Sequence, residues 1–208
     1  MPGLKLGGPV SLPKRPLGRT GSHVTILGLG GEGVLRTFGY EREAQAVIEA
    51  ALEAGINYFE TARAYSDSER YLGRALRGHR DKIFLSSKSH GRSRQEAERH
   101  LAVTLRTLQT DYLDLWQVHD VRTRAEVEAL GAPGGALETF HWAKQRGLTR
   151  FVGVTGHYDP EVLRRAIELF DFDTVLLPVN PAEPHFRSFL PLAREALDQG
   201  LGVIGMKV

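Results

Sequence analysis

Residues 82–119 run KIFLSSK (Lys82–Lys88), a short connection, SRQEAERHLAVTLRTL (Ser93–Leu108) and, after a turn, YLDLWQVH (Tyr112–His119). The outer segments are short and apolar, as strands buried on both faces are. The middle segment sets Ala97, Leu101, Leu105 and Leu108 in line at helical spacing, and Ser93 followed by Glu96 has the spacing of a capping box. A strand, an amphipathic helix and a second strand make a βαβ unit, whose strands run parallel.

The same cycle extends in both directions. Upstream, Val24–Leu29 reads as a strand closed by Gly30 and Gly31. Glu41–Glu53 follows as a helix, Asn57–Thr61 as a strand and Ser68–Arg77 as a helix. Downstream, a helical stretch broken at Gly131–Gly135 leads to a strand at Arg150–Thr155, and Pro160 opens the next helix. Asp173–Val179, Ser188–Gln199 and Gly202–Val208 read as strand, helix and strand. Seven strands alternating with six helices, at a repeat of roughly 30 residues, predict a parallel α/β fold.

Two parallel architectures compete. An open doubly wound sheet calls for a G-x-G-x-x-G turn after the first strand, and Gly30-Gly31-Glu32-Gly33 lacks that spacing. Polar residues close several successive strands, as they do in a (β/α)8 TIM barrel. The expected fold is therefore that barrel over residues 13–208, incomplete at the C-terminus because strand 8 is missing. Residues 1–12, rich in Gly and Pro, are expected to be a flexible N-terminal segment. Turn chemistry at Arg19–Ser22 leaves two readings of the arm before the first strand, a short β-hairpin or an irregular segment.

Composition narrows the function. Lys plus Arg (27) against Asp plus Glu (25) gives a net charge of +2 with no run of five or more like charges, which argues against a nucleic-acid partner. The chain has no cysteine, so disulfides and thiolate chemistry are excluded. No apolar run has the length of a membrane span, and the first residues lack a signal-peptide core. A cytoplasmic protein acting on a small molecule is expected, with no membrane partner and an oligomeric state left open.

Glu60, Lys88 and His119 close three consecutive strands, and Tyr65 follows in the loop after the first of them. Together they suit one task. An ammonium beside a phenol favours the phenolate and eases release of the proton. A carboxylate keeps that ammonium charged, and a histidine can hydrogen-bond a carbonyl oxygen. Each also has an ordinary structural reading: a turn cap, a loop aromatic, a snorkelling lysine, a core histidine. His141, His157 and His185 lie on different expected elements without metal-ligand spacing, so no metal site is expected.

A set of segments resembles the aldo-keto reductase family. They are LGRTG (17–21), LGLGG (27–31), AGINYFETA (54–62), Tyr65, SERYLGRAL (68–76), Ser87-Lys88, Tyr112–His119, VGVT (152–155) and GVIGMKV (202–208). The resemblance covers nearly everything after residue 15. It implies a (β/α)8 barrel with a hairpin plugging its base and an oxidoreductase that reduces aldehydes and ketones to alcohols without a metal. The implied cofactor is NADPH, with NADH the less common choice.

The same resemblance assigns Tyr65 as proton donor, Lys88 as its partner and His119 as the carbonyl-orienting group. Glu60 stands where the family normally has aspartate. For the cofactor it points to Gly30 and Gly31 after the first strand and to Thr155 and Gly156 in place of the family's Ser-Asn pair. Asn180 (or Pro181) then stands near the usual glutamine, and Met206 replaces a tyrosine that stacks on the nicotinamide. A non-catalytic cofactor-binding or regulatory relative is the alternative, as is an inactive truncated fragment. With seven strands, the chain is expected to expose two strand edges, to associate through them and to bind NADPH weakly.

Overall fold

The structure, a computed structural model, describes residues 12–182 and 188–208. Residues 1–11, which hold nearly all of the N-terminal segment expected to be flexible, lie outside the described residues, and so does His185. An antiparallel hairpin pairs β1 (Lys14–Pro16) with β2 (His23–Thr25). A parallel sheet follows: β3 (Leu29–Gly30), β4 (Tyr58–Glu60), β5 (Phe84–Ser89), β6 (Leu113–Val118), β7 (Thr149–Thr155), β8 (Thr174–Pro178) and β9 (Gly202–Met206). These seven strands lie in sequence order, each hydrogen-bonded to the next. The helices are α1 (Glu41–Glu53), α2 (Ser68–Ala75), α3 (Arg94–Leu108), α4 (Arg124–Gly131), α5 (Ala136–Gln145), α6 (Pro160–Leu169) and α7 (Leu190–Asp198). This is a curled, incomplete (β/α)8 barrel with a short hairpin at its N-terminal end, as expected. Among the described residues no helix is long and apolar enough to cross a membrane.

One expected strand divides. Val24–Leu29 reads as one run, but Val24 and Thr25 belong to the hairpin and only Leu29 and Gly30 to the barrel wall. Between them the chain turns, and Thr25 is tied to Asn57 through its backbone N–H (2.7 Å) and its hydroxyl (3.2 Å). A local apolar pattern does not report that change of partner.

Alternation along each strand divides the sheet into two faces. Phe59, Leu85, Trp116 and Val118 point outward into the main core, where the helices cover them. Tyr58, Phe84 and Leu115 point inward and pack with Leu17 and Val24 of the hairpin region, which fills one end of the lumen. Tyr58 stacks on Phe84 with ring centroids 5.5 Å apart, and Phe84 on Phe151 at 6.3 Å. Counting on by twos from the inward set reaches Glu60 on β4, Lys88 on β5 and, one residue past β6, His119. The plug and the polar groups thus occupy opposite ends of one inward-facing row.

Two helix starts follow their sequence signals closely. Ser93 accepts from Glu96 N while Glu96 accepts from Ser93 N (3.2 Å), the capping box expected at the start of α3. Thr123 and Glu126 build a second one at α4. Where α2 meets α3, Gly73 allows contact that a side chain would prevent: a Cβ there would sit 2.4 Å from the Thr107 carbonyl oxygen. An alanine would gain about 1 kcal/mol of helix propensity, but the clash is with backbone and outweighs it. Gly73→Ala is expected to lose a net of about 1–2 kcal/mol, read as a lowered Tm. An unchanged Tm would mean that α2 is free to shift off α3.

Candidate active site

The loop after β4 keeps close to β5 even where the strand pairing ends. Thr61 N donates to Ser86 O (2.9 Å) and Arg63 N to Lys88 O (3.0 Å). A turn follows, with Tyr65 N on Ala62 O (3.0 Å) and Ser68 N on Tyr65 O (2.8 Å), and it brings the phenol over the end of β5. Beneath the loop lies Glu69, almost fully buried. It accepts from Ser87 Oγ (2.9 Å) and Thr104 Oγ1 (2.7 Å) and pairs with Arg63. One carboxylate thereby joins the loop, β5 and α3. Gly31 closes the other flank, since a Cβ there would meet Glu60 O at 2.8 Å and Ser68 Oγ at 2.6 Å.

Lys88 is the centre of the cluster. Its Nζ donates to Glu60 Oε1 (2.6 Å), Thr61 O (3.0 Å) and Tyr65 Oη (3.4 Å), so all three ammonium hydrogens have acceptors. The residue is 1% exposed, and a buried cation without such partners would be strongly unfavourable. Glu60 thus reaches Lys88 with its longer side chain from the position where the resemblance leads one to expect aspartate. His119 lies edge-on to Tyr65, ring centroids 5.5 Å apart and planes at 82°.

The Tyr65 phenol titrates above its ordinary range. Burial raises it most, the Lys88 ammonium pulls it back down, and the Glu60 and Glu32 carboxylates raise it again. Lysine's effect has the expected sign but is outweighed, so the hydroxyl is fully protonated at neutral pH. With Lys88 donating to its oxygen, the phenol's own hydrogen remains to be donated elsewhere. His119 is pushed down to about 3, first by burial and then by Lys88 and by His157. Its imidazole is neutral at any ordinary pH.

Two adjoining cavities meet at Tyr65. One, of about 590 Å3, is lined by Gly30, Gly31, Glu60, Lys88, Thr155 and Met206 among others. The other, of about 770 Å3, takes in His119 and Asn180. Of the sequence-derived positions, Gly156 lines neither and packs against Leu163 and Val121 O. The Thr155 hydroxyl accepts from Asp120 N (2.8 Å), and Asn180 Oδ1 accepts from Ala182 N (3.0 Å).

Sequence reasoning missed Glu32, His157 and Lys207, which line both cavities. It also missed Arg36, whose guanidinium lies over the Tyr65 ring at 5.3 Å, and Arg92. All five sit in loops or at strand ends, where no periodicity marks a facing direction. His157 had been set aside as a metal candidate; burial holds its pKa below the ordinary histidine value. Among the described residues no group of three or more His, Asp or Glu side chains is placed to hold a metal ion.

A parallel, incomplete barrel wall thus carries a lysine, a carboxylate, a tyrosine and a histidine together at one end. Residues 26–208 match the model of the Aldo/keto reductase family, and the chain belongs to that family. The uncharacterized oxidoreductase YqkF of Bacillus subtilis is 25% identical over 197 residues, covering 88% of this chain and 61% of that protein. L-galactose dehydrogenase of Arabidopsis thaliana is 31% identical over 156 residues, covering 68% and 48%. The chain thus spans about half to three fifths of these curated relatives. The holo form of aldo-keto reductase AKR11C1 from Bacillus halodurans has a TM-score of 0.79 at 26% identity, covering 93% of this chain and 65% of that one.

The depressed His119 pKa links stability to pH. Its folded value of about 3 lies below the ordinary 6.5, so its contribution is complete above pH 6.5 and is lost as pH falls toward 3. Between pH 7 and 5 the wild-type chain is expected to lose about 2 kcal/mol from this group. His119→Gln, which cannot ionise, should show a flatter acid limb in denaturant melts across that range. Parallel limbs for the two proteins would mean that His119 is not held neutral by burial.

Proposed function

We propose that this protein reduces aldehyde or ketone carbonyls to alcohols with hydride from NADPH, NADH being the alternative donor, and that Tyr65 supplies the proton. The observation that carries the reading is the three-acceptor setting of Lys88, with its Nζ on Glu60, Thr61 O and the Tyr65 oxygen. An ammonium donating to a phenol oxygen stabilises the phenolate left after the proton departs. It also leaves the O–H free to point at a substrate.

The residues around the smaller cavity fit a nicotinamide cofactor. A Cβ on Gly30 would meet no protein atom within 4 Å, and Gly31 cannot carry one, so this flank leaves open space beside Glu60 and Tyr65. Gly30, Gly31, Thr155 and Met206 are the residues that would hold the cofactor, with Asn180 further out in the larger cavity; Gly156, buried against Leu163, would not reach it. Met206 offers a polarizable thioether to a ring face. A nicotinamide held there would supply the hydride that a carbonyl carbon accepts.

The protein's own groups do the rest. His119, neutral and beside Tyr65, donates one ring N–H to the carbonyl oxygen and polarises it without adding a second positive charge. Tyr65 gives its proton to that oxygen as negative charge develops there. The phenolate that results is held by the Lys88 ammonium, which Glu60 keeps charged and oriented. Balanced over one turnover, carbonyl, hydride and proton become an alcohol.

Tyr65→Phe is expected to lower kcat by about 100-fold or more, in line with general-acid contributions, while cofactor affinity stays within twofold or so of wild type. Loss of reduced-nicotinamide absorbance with a panel of aldehydes reads the first, and a fluorescence titration the second. A mutant that keeps a tenth of the activity would show that Tyr65 is not the acid. A wild-type chain that binds cofactor but turns over no carbonyl would favour a non-catalytic relative.

Lys88→Met should abolish turnover and raise the pKa of the remaining phenol step, because the one group pulling that pKa down is gone. Glu60→Asp, by contrast, is expected to leave activity equal or higher. Its collapse would mean that the pocket is shaped around the longer carboxylate.

A further inference from the structure

His119 has no side-chain anchor: among the described residues its ring makes no hydrogen bond, and its one ring neighbour in stacking range is Tyr65. With no hydrogen bond to hold it, the imidazole is placed by packing against its buried surroundings and by the backbone that carries it. That backbone is unusual. Asp120, the next residue, is left-handed with φ 56°, a conformation that aspartate adopts more readily than most residues with a Cβ but that still calls for local hydrogen bonds. Something must hold the turn.

The holding contacts converge on Arg92. Its Nη2 donates to the carbonyl oxygens of both His119 (2.9 Å) and Asp120 (3.0 Å). Its Nε donates to Glu126 Oε1 at 3.3 Å. Arg92 is itself fixed at the backbone: its N–H donates to Glu96 Oε2 (3.1 Å), and its carbonyl accepts from Ala136 N (3.0 Å). Glu126 then closes the ring, because it also accepts from Arg122 N (2.8 Å) and Thr123 N (3.1 Å), just beyond the same turn. On the far side His119 N donates to Ser89 O (2.9 Å), and Asp120 N to the Thr155 hydroxyl (2.8 Å). The arginine thus spans from the loop after β5 to the two carbonyls that set where His119 emerges.

We propose that Arg92 is a positioning residue for the carbonyl-polarising step: its guanidinium clamps the His119–Asp120 turn and so fixes the imidazole against Tyr65 and the substrate oxygen. This rests on the reductase reading above. The planar fork suits the task, since one nitrogen reaches two carbonyls while another reaches Glu126. A lysine has a charge and a stem but a single nitrogen. Arg92 also lines the larger cavity with His119 and Tyr65, so the clamp lies at the site itself. A shift of His119 of the order of an ångström is enough to weaken the interaction it makes in the transition state.

The test uses the full chain with Arg92→Lys and Arg92→Met, each checked by thermal melt. Expected is a fall in kcat of about 10- to 100-fold, with the cofactor KM unchanged and substrate KM altered less than kcat. Two-dimensional 1H–15N spectra of the imidazoles should show the His119 ring resonances moved in both variants and those of His23 and His141 unmoved. A merely structural role would lower Tm without that selective displacement. If an active wild type has Arg92 variants with full kcat, or with His119 resonances in place, this inference falls alone. A wild type inert toward every carbonyl would remove the reductase reading, and the inference with it.

Discussion

The ammonium of Lys88 is the constraint on which the site depends. A lysine 1% exposed in the wall of a barrel is tolerable only when every donor is matched, because the desolvation of an unpaired ion costs several kcal/mol. Here the matching groups are Glu60, the Thr61 carbonyl and Tyr65, which come from β4 and the loop that follows it. Satisfying the cation therefore fixes the relative position of β4, its following loop and β5. Structure and chemistry make the same demand at this point: the arrangement that shelters the charge also aims the phenol.

Other buried ions follow the same logic at the opposite end of the strands and behind the loop. Asp114, at the start of β6, accepts from Leu85 N (2.9 Å) and pairs with Arg80 and Arg150. Asp173 accepts from Val152 N (2.8 Å) and from Lys144 (2.8 Å). Each carboxylate takes up a strand backbone N–H, near the start of β5 for Asp114 and in the middle of β7 for Asp173, and so stands in for a ladder partner. Glu69 does the corresponding work for side chains, with two hydroxyls and Arg63. Such pairs contribute little net stability when whole, but losing one partner leaves an uncompensated charge. They fix register and loop path more than they add free energy.

Around Tyr65 the protonation states are separated by environment. Burial keeps the phenol protonated and His119 neutral, while burial also lowers His157. The positive charge stays on Lys88 and on the arginines, which are paired with carboxylates: Arg36 with Glu32, Arg92 with Glu126, Arg122 with Asp120. A neutral hydrogen-bond donor and a neutral acid thus share a mouth lined by fixed ions. Among the described residues that line the larger cavity, all but Ala64 and Pro178 carry a polar side chain, and several of them are held by ion pairs with their neighbours.

What the sequence alone determined was whatever depends on local period and on short-range chemistry. The seven strands, the helices between them and the Ser93–Glu96 cap were legible because burial on two faces, amphipathicity and capping each leave a mark within a few residues. Glu60, Lys88 and His119 were legible because side chains alternate along a strand, so residues at successive strand ends fall on one inward row. Tyr65 was placed with them by its motif. Tertiary structure decided the rest: that Val24–Leu29 divides between hairpin and barrel wall, that burial outweighs Lys88 in setting the phenol, and that Arg92, Arg36, Glu32 and His157 face the site. Those outcomes depend on loop paths, on desolvation and on partners tens of residues away. A one-dimensional pattern carries none of these, because it records which residue stands where but not what surrounds it.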